Sequence, residues 1–150
     1  MLFNSSDAPS QIWQNVLHEL HRGALDPKHP FRFLTLATSG AQFPQVRTVV
    51  LRHMSPAMEF LVYTDVRTAK VRDLLETPRV SLLFYHPKKQ VQVRVKAIAT
   101  LHVEDALAQE HWKRVPEKRQ SEYKSGLVPG TRIETPDLGW ETQSESTHFS

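Results

Sequence analysis

Apolar residues recur at two spacings along this chain. Between residues 10 and 23, Ile12, Trp13, Val16, Leu17 and Leu20 follow a helical repeat. That spacing predicts a helix capped by Ser10 and ended by Gly23. Downstream the spacing shortens to two, and five segments read as strands: 31–38, 46–52, 58–64, 79–85 and 90–103. In 46–52, Val46, Thr48, Val50 and Arg52 share one face, while Arg47, Val49 and Leu51 share the other. In 90–103, Val91, Val93 and Val95 point inward and Gln90, Gln92, Arg94 and Lys96 point to a polar environment. Helical spacing returns over 68–76, where Val71, Leu74 and Leu75 face a core, then to about Arg114 and over 117–124. Pro116 separates the last two.

Strands joined by short turns, with helices interspersed, predict an antiparallel α+β barrel rather than a parallel doubly wound sheet. The chain has only five glycines and no G-x-G-x-x-G, which argues against a dinucleotide-binding crossover fold. Residues 1–130 are expected to form one domain and 131–150 a polar tail in which Trp140 alone is apolar enough to dock.

Composition narrows the chemistry. The chain has 150 residues and no cysteine, so disulfides, thiolate metal sites and cysteine nucleophiles are out. Its formal charge of +3 does not by itself call for a polyanionic partner. The basic strand residues Arg94 and Lys96 lack interleaved aromatics, so no nucleic acid is expected. Neither a long apolar run nor a signal-like start is present, which predicts a cytoplasmic protein without a membrane partner. His18 and His21 sit at i, i+3 without a third ligand, and no metal site is expected. His86 and His102 read as surface residues. No G-x-S-x-G elbow suggests a hydrolase, and no catalytic residue stands out.

The stretch 45–70 is the informative one. Arg47 and Arg52 flank an apolar strand, and Tyr63, Thr64 and Asp65 end the next. Arg67, Thr68 and Lys70 lie at a helix start. Cations and hydroxyls beside a helix N-terminus suit a phosphate, because the free N–H groups and the helix dipole both favour an anion there. The strand alternation sets Arg52 opposite to Arg47, better placed for a substrate or a second subunit than for the same phosphate.

Three motifs in order, R-T-V-V-L-R at 47–52, Y-T-D-V-R-T-A-K-V-R-D-L at 63–74 followed by P-R-V-S-L-L-F-Y at 78–85, and K-Q-V-Q-V-R-V-K-A at 89–97, resemble the pyridoxamine 5′-phosphate oxidase family of FMN-binding split barrels. The resemblance covers roughly residues 30 to 103. It implies an antiparallel split β-barrel with short flanking helices and FMN as cofactor. Arg47 and Lys70 would bind the FMN phosphate, with Thr68 adding a hydroxyl and Arg67 a further cation. Thr48, Val49, Val50, Leu51 and Arg52 would line the flavin along the strand. Tyr63, Thr64 and Gln90 would complete its contacts. A homodimer with FMN at its interface is implied as well.

The chain departs from the family in two places. Its late helix reads H-W-K-R-V-P-E-K-R, so pyridoxamine 5′-phosphate is not the expected substrate. Arg52, His111 and Arg119 are the candidates for orienting a small anionic one. The chain stops at T-H-F-S, 147–150, where further strands carrying a Trp and an Arg usually complete the flavin site, so it is expected to be short at this end. The implied function is an FMN-dependent oxidoreductase that passes hydride between a small substrate and the flavin. The alternative is a flavin-binding carrier or sensor without turnover.

Overall fold

The structure is a computed structural model and describes residues 2–135 and 148–149. The chain forms two compact units, Met1–Val62 with Arg79–Ile98, and Tyr63–Pro78 with Ala99–Ser150.

The first unit opens with helix α1, Pro9–Leu25. It starts at Pro9, whose fixed φ and missing N–H suit a first helical position, with Ala8 rather than Ser10 as the N-cap. Gly23 does not end it. Gly23 lies inside the helix, and Phe31 packs where a side chain would stand: a Cβ there would lie 2.7 Å from Phe31 Cβ. Residues Pro30–Arg32 form a single 3₁₀ turn, with the His29 side chain accepting the Phe31 N–H.

The strands follow. β1 is Phe33–Ser39, β2 Pro44–Val50, β3 His53–Met54, β4 Phe60–Leu61, β5 Arg79–His86 and β6 Val91–Ile98. Four of them form one antiparallel sheet in the order β2-β1-β5-β6, and β3 and β4 form a separate two-stranded ribbon. The α+β class and the antiparallel pairing are as expected, but the sheet is open, with β2 and β6 as its edges. The strand expected over 58–64 is reduced to two residues. Met58 adopts a left-handed φ of 63° just before it, which an extended strand does not accommodate. The strand expected to reach 103 stops at Ile98.

The sheet alternates cleanly. Leu34, Leu36, Val49, Val80, Leu82, Phe84 and Val91 are buried on its inner face, together with Leu20 of α1 and Phe31. Phe31 and Phe84 are fully buried with ring centroids 5.6 Å apart. Removing such apolar area from water is the main stabilising term here, about 25 cal/mol per Å².

The second unit contains helix α2, Ala69–Glu76, α3, Ala106–Arg114, and α4, Glu117–Gln120, which runs into a 3₁₀ turn over Ser121–Tyr123. Asp105 caps α3 by accepting the Ala108 N–H. The Ala108 N–H and His102 hold the Asp105 carboxyl below the ordinary carboxylate value. Val71 and Leu74 of α2 are buried as expected, whereas Leu75 is 72% exposed. Val115, Tyr123 and Phe149 form a small core packed against Tyr63 and Trp112. Trp140 and most of the tail lie outside the described residues.

Candidate functional site

The start of α2 is built from a short turn. Thr68 N–H donates to the Asp65 carbonyl, and the Thr68 hydroxyl donates to the same oxygen at 2.9 Å. Thr68 is therefore the N-cap residue by position, but its side chain does not cap the helix. The first amides of a helix lack intrahelical partners and attract an anion. Lys70 lies in this first turn. Its Nζ donates to Thr64 Oγ1 at 2.6 Å and to Thr68 Oγ1 at 3.2 Å. Thr64 is buried and Thr68 half-buried. One ammonium is thus held beside the first amides of a helix by two hydroxyl oxygens that accept from it, and the ammonium and the amides are donors that fit a phosphate.

Arg67 has another task. Its guanidinium donates to both carboxylate oxygens of the buried Asp65, at 3.0 and 2.6 Å, and to the Ser125 carbonyl at 2.9 Å. The hydrogen bond to Asp65 raises the Arg67 pKa above its ordinary value. Asp65 also accepts the Arg67 N–H at 2.9 Å and pairs as a β-bridge with Phe149. This clamp fixes the turn that carries Thr64, Thr68 and Lys70. Tyr63, one residue earlier, has its hydroxyl 2.9 Å from His111 Nδ1, and its ring stands edge-on to Phe149 at 4.9 Å. Tyr63 and His111, which the sequence assigns to different ligands, are therefore direct partners. Arg119 is exposed on α4.

The remaining candidates lie in the first unit. Arg47 stands on the inner side of β2, and its guanidinium donates to Thr38 Oγ1 at 2.7 Å. Thr48 is exposed, Val50 half-buried, and Val49 and Leu51 are buried. Arg52 lies beyond the end of β2, and its N–H donates to the Leu61 carbonyl at 2.8 Å. Gln90 is exposed in the β5–β6 turn with a left-handed φ of 52°.

One cluster escaped the sequence reading. Glu19 of α1, 3% exposed, accepts Lys89 Nζ at 2.7 Å, His29 Nε2 at 3.1 Å and Arg22 at 3.3 Å. His86 Nε2 lies 3.9 Å from the same carboxylate. His86 is buried, not at the surface as expected, because its ring packs between His29 and Phe31. Burial alone would push the Glu19 carboxyl up, but hydrogen bonds from Lys89 and His29 outweigh it and hold it below the ordinary value. Burial pushes the His86 pKa down, and the nearby Lys89 charge adds to that.

Glu19, His29 and His86 bring their ligand-type atoms close enough to hold a metal ion. The tautomers point elsewhere. His29 Nδ1 accepts the Phe31 N–H and His86 Nδ1 accepts the Lys89 N–H. Each neutral ring then carries its proton on Nε2, facing Glu19, where a metal would need a lone pair. The cluster is a charge-compensated carboxylate. One signal for it stood in the sequence: Glu19 falls three residues after Val16 and seven after Ile12, on the apolar stripe of α1.

The model of the pyridoxamine 5′-phosphate oxidase FMN-binding domain matches residues 10–103. The chain belongs to this family. FMN is the cofactor that the family's domain binds. The chain is 35% identical over 82 residues to the pyridoxine/pyridoxamine 5′-phosphate oxidase of Anaeromyxobacter dehalogenans, covering 54% of this chain and 41% of that protein. It is 26% identical over 118 residues to the enzyme of the same name from Rhodopseudomonas palustris, covering 79% and 54%. The chain thus spans about half the length of the curated relatives it matches. Among solved structures, a pyridoxamine 5′-phosphate oxidase-related, FMN-binding protein from Nostoc punctiforme superposes with a TM-score of 0.71 at 23% identity, covering 96% of this chain and 79% of that one. PhzG from Burkholderia lata gives 0.66 at 16% identity, covering 90% and 65%. At these identities the likeness is one of fold. Among the described residues no helix is long and apolar enough to cross a membrane.

Proposed function

We propose that this member of the family is an FMN-dependent oxidoreductase that passes hydride between a small anionic substrate and the flavin. The observation that carries the reading is the Lys70 ammonium held by Thr64 and Thr68 at the start of α2. In this reading Lys70, the two hydroxyls and the first amides of α2 take the FMN phosphate, and Arg47 supplies a second cation. Arg67 acts through Asp65, keeping the turn in shape. The strand 48–52, Tyr63 and Gln90 contact the flavin. The flavin, when bound, supplies the redox chemistry, and the protein supplies position and electrostatics.

The Tyr63–His111 hydrogen bond holds one proton between an oxygen and a nitrogen and fixes the imidazole. Arg52, His111 and Arg119 are the groups assigned to the substrate's acid group. A split barrel completed within a homodimer is part of the same proposal and rests on the family resemblance. The mass in solution tests the dimer.

Flavin content of the purified protein, followed by anaerobic bleaching with candidate donors, tests the function. The expected result is bound FMN whose absorbance is lost on adding a donor. Flavin that binds but is reduced by no donor would favour the carrier reading over the enzyme.

A further inference from the structure

The ladder between β1 and β5 ends at the Ala37–Ser81 rung. Beyond it β1 stays paired with β2 as far as Ser39–Pro44, and β5 with β6 from Arg79–Ile98. The two hairpins therefore diverge, and a cleft of about 550 Å³ opens between them within the first unit. One side carries Thr38, Ser39 and Pro44, the other Arg79, Lys96 and Ile98. Because Lys96 pairs with Ser81 and Ile98 with Arg79, Arg79 and Lys96 are diagonal neighbours on one face, close enough to interact. The residues that β1, β2, β5 and β6 show on this face include no Asp or Glu. Neither cation has an ion-pair partner among the described residues.

Two adjacent positive charges without a counter-charge raise the local potential and favour an anion between them. A guanidinium offers a planar fork to a carboxylate or phosphate, and an ammonium adds a point charge. The cleft is also partly apolar: Ile98 is 68% exposed, and Pro44 lies on the opposite side. Thr38 is buried, with its hydroxyl oxygen held by Arg47 at 2.7 Å. We propose that this cleft binds a small organic anion, with its acid group between Arg79 and Lys96 and its apolar body against Pro44 and Ile98. The site uses none of the residues assigned to FMN, so it does not depend on that assignment.

The test is a titration of the whole chain, with FMN present, followed by backbone amide shifts. Phenyl phosphate and benzoate are the two probes and separate a phosphate monoester from a carboxylate. Saturable shifts at residues 37–39, 79–81 and 96–98 with at least one probe are expected. Arg79→Ala and Lys96→Ala should each weaken that binding at least tenfold. Both side chains are exposed, and the rest of the amide spectrum shows that the variants are folded. Lys70→Ala should leave the binding intact. Absence of saturable shifts with both probes overturns the proposal. So does binding that survives both cleft variants or disappears in Lys70→Ala.

Discussion

Lys70 Nζ donates to Thr64 Oγ1 at 2.6 Å, joining the first turn of α2 to the residue that ends the preceding segment. The contact orients an ammonium that would otherwise sweep a wide arc on a flexible stem. Lys70→Ala should therefore weaken FMN binding by about 1.5–3 kcal/mol, the range for a lost hydrogen bond to a charged group. Thr64→Val removes the acceptor without removing the charge and should cost less. Quenching of flavin fluorescence gives both affinities, and equal affinity in wild type and Lys70→Ala would refute the phosphate assignment.

The Glu19–Lys89 pair should respond asymmetrically to mutation. Removing one partner of a buried pair costs about 3–5 kcal/mol because a charge is left uncompensated. Lys89 is 29% exposed and can turn to water, whereas the Glu19 carboxylate is 4% exposed and cannot. Lys89→Met should thus approach the upper end of that range, softened by the His29 and Arg22 contacts that remain. Glu19→Ala should fall near or below the lower end. Urea unfolding of the two variants decides the order, and a larger loss in Glu19→Ala would show that packing outweighs charge here.

Acid should destabilise the first unit through the same cluster. The folded Glu19 pKa lies below its ordinary value of 4.5, so its contribution is present above that value and lost as pH falls through and below it. The folded His86 pKa lies below 6.5. Folding favours the neutral ring, and that contribution is complete above 6.5 and shrinks as pH drops beneath it. Stability should therefore decline first below about pH 6.5 and again below about 4.5. In His86→Asn the upper decline should disappear while the lower one persists. Urea midpoints measured from about pH 2 to 8 would reveal both, and identical pH profiles for the two proteins would rule out His86 as the cause.

Much of this architecture was legible in the chain because period-two alternation is a local property. β1, β2, β5 and β6 could be read from it, as could the inward face of β6, the α2 start at Thr68 and the buried Val71 and Leu74. What could not be read depends on contacts distant in sequence. Glu19 and His86 are 67 residues apart (86 − 19), and nothing local marks His86 as buried. Arg67 looked like another cation for a phosphate, but its commitment to Asp65 and Ser125 needs the geometry of the turn and of a segment far downstream. The segment 58–64 reads as a strand from its apolar, β-favouring residues, yet the left-handed Met58 and the short β3–β4 ribbon leave it only two ladder residues.

Gly23 separates two opposing effects of one methyl group. In a helix interior, glycine to alanine ordinarily stabilises by about 0.5–1 kcal/mol, because alanine has less backbone freedom to lose. At this position the added Cβ would lie 2.7 Å from Phe31 Cβ and 2.9 Å from both the carbonyl carbon and oxygen of Phe31. These are main-chain atoms and a fully buried side chain, not the movable end of a flexible one. Phe31 is also fixed by its N–H bond to His29 and by ring contacts with Phe84 and His86. Overpacking of this kind costs about 1–3 kcal/mol, which exceeds the propensity gain. Gly23→Ala should therefore lower stability by about 1–2 kcal/mol. An exposed control in the same helix, Gln14→Ala, should change little or stabilise slightly. Thermal or urea denaturation of the two variants distinguishes the effects, and a Gly23→Ala protein as stable as wild type would mean that α1 can shift away from Phe31 at little cost.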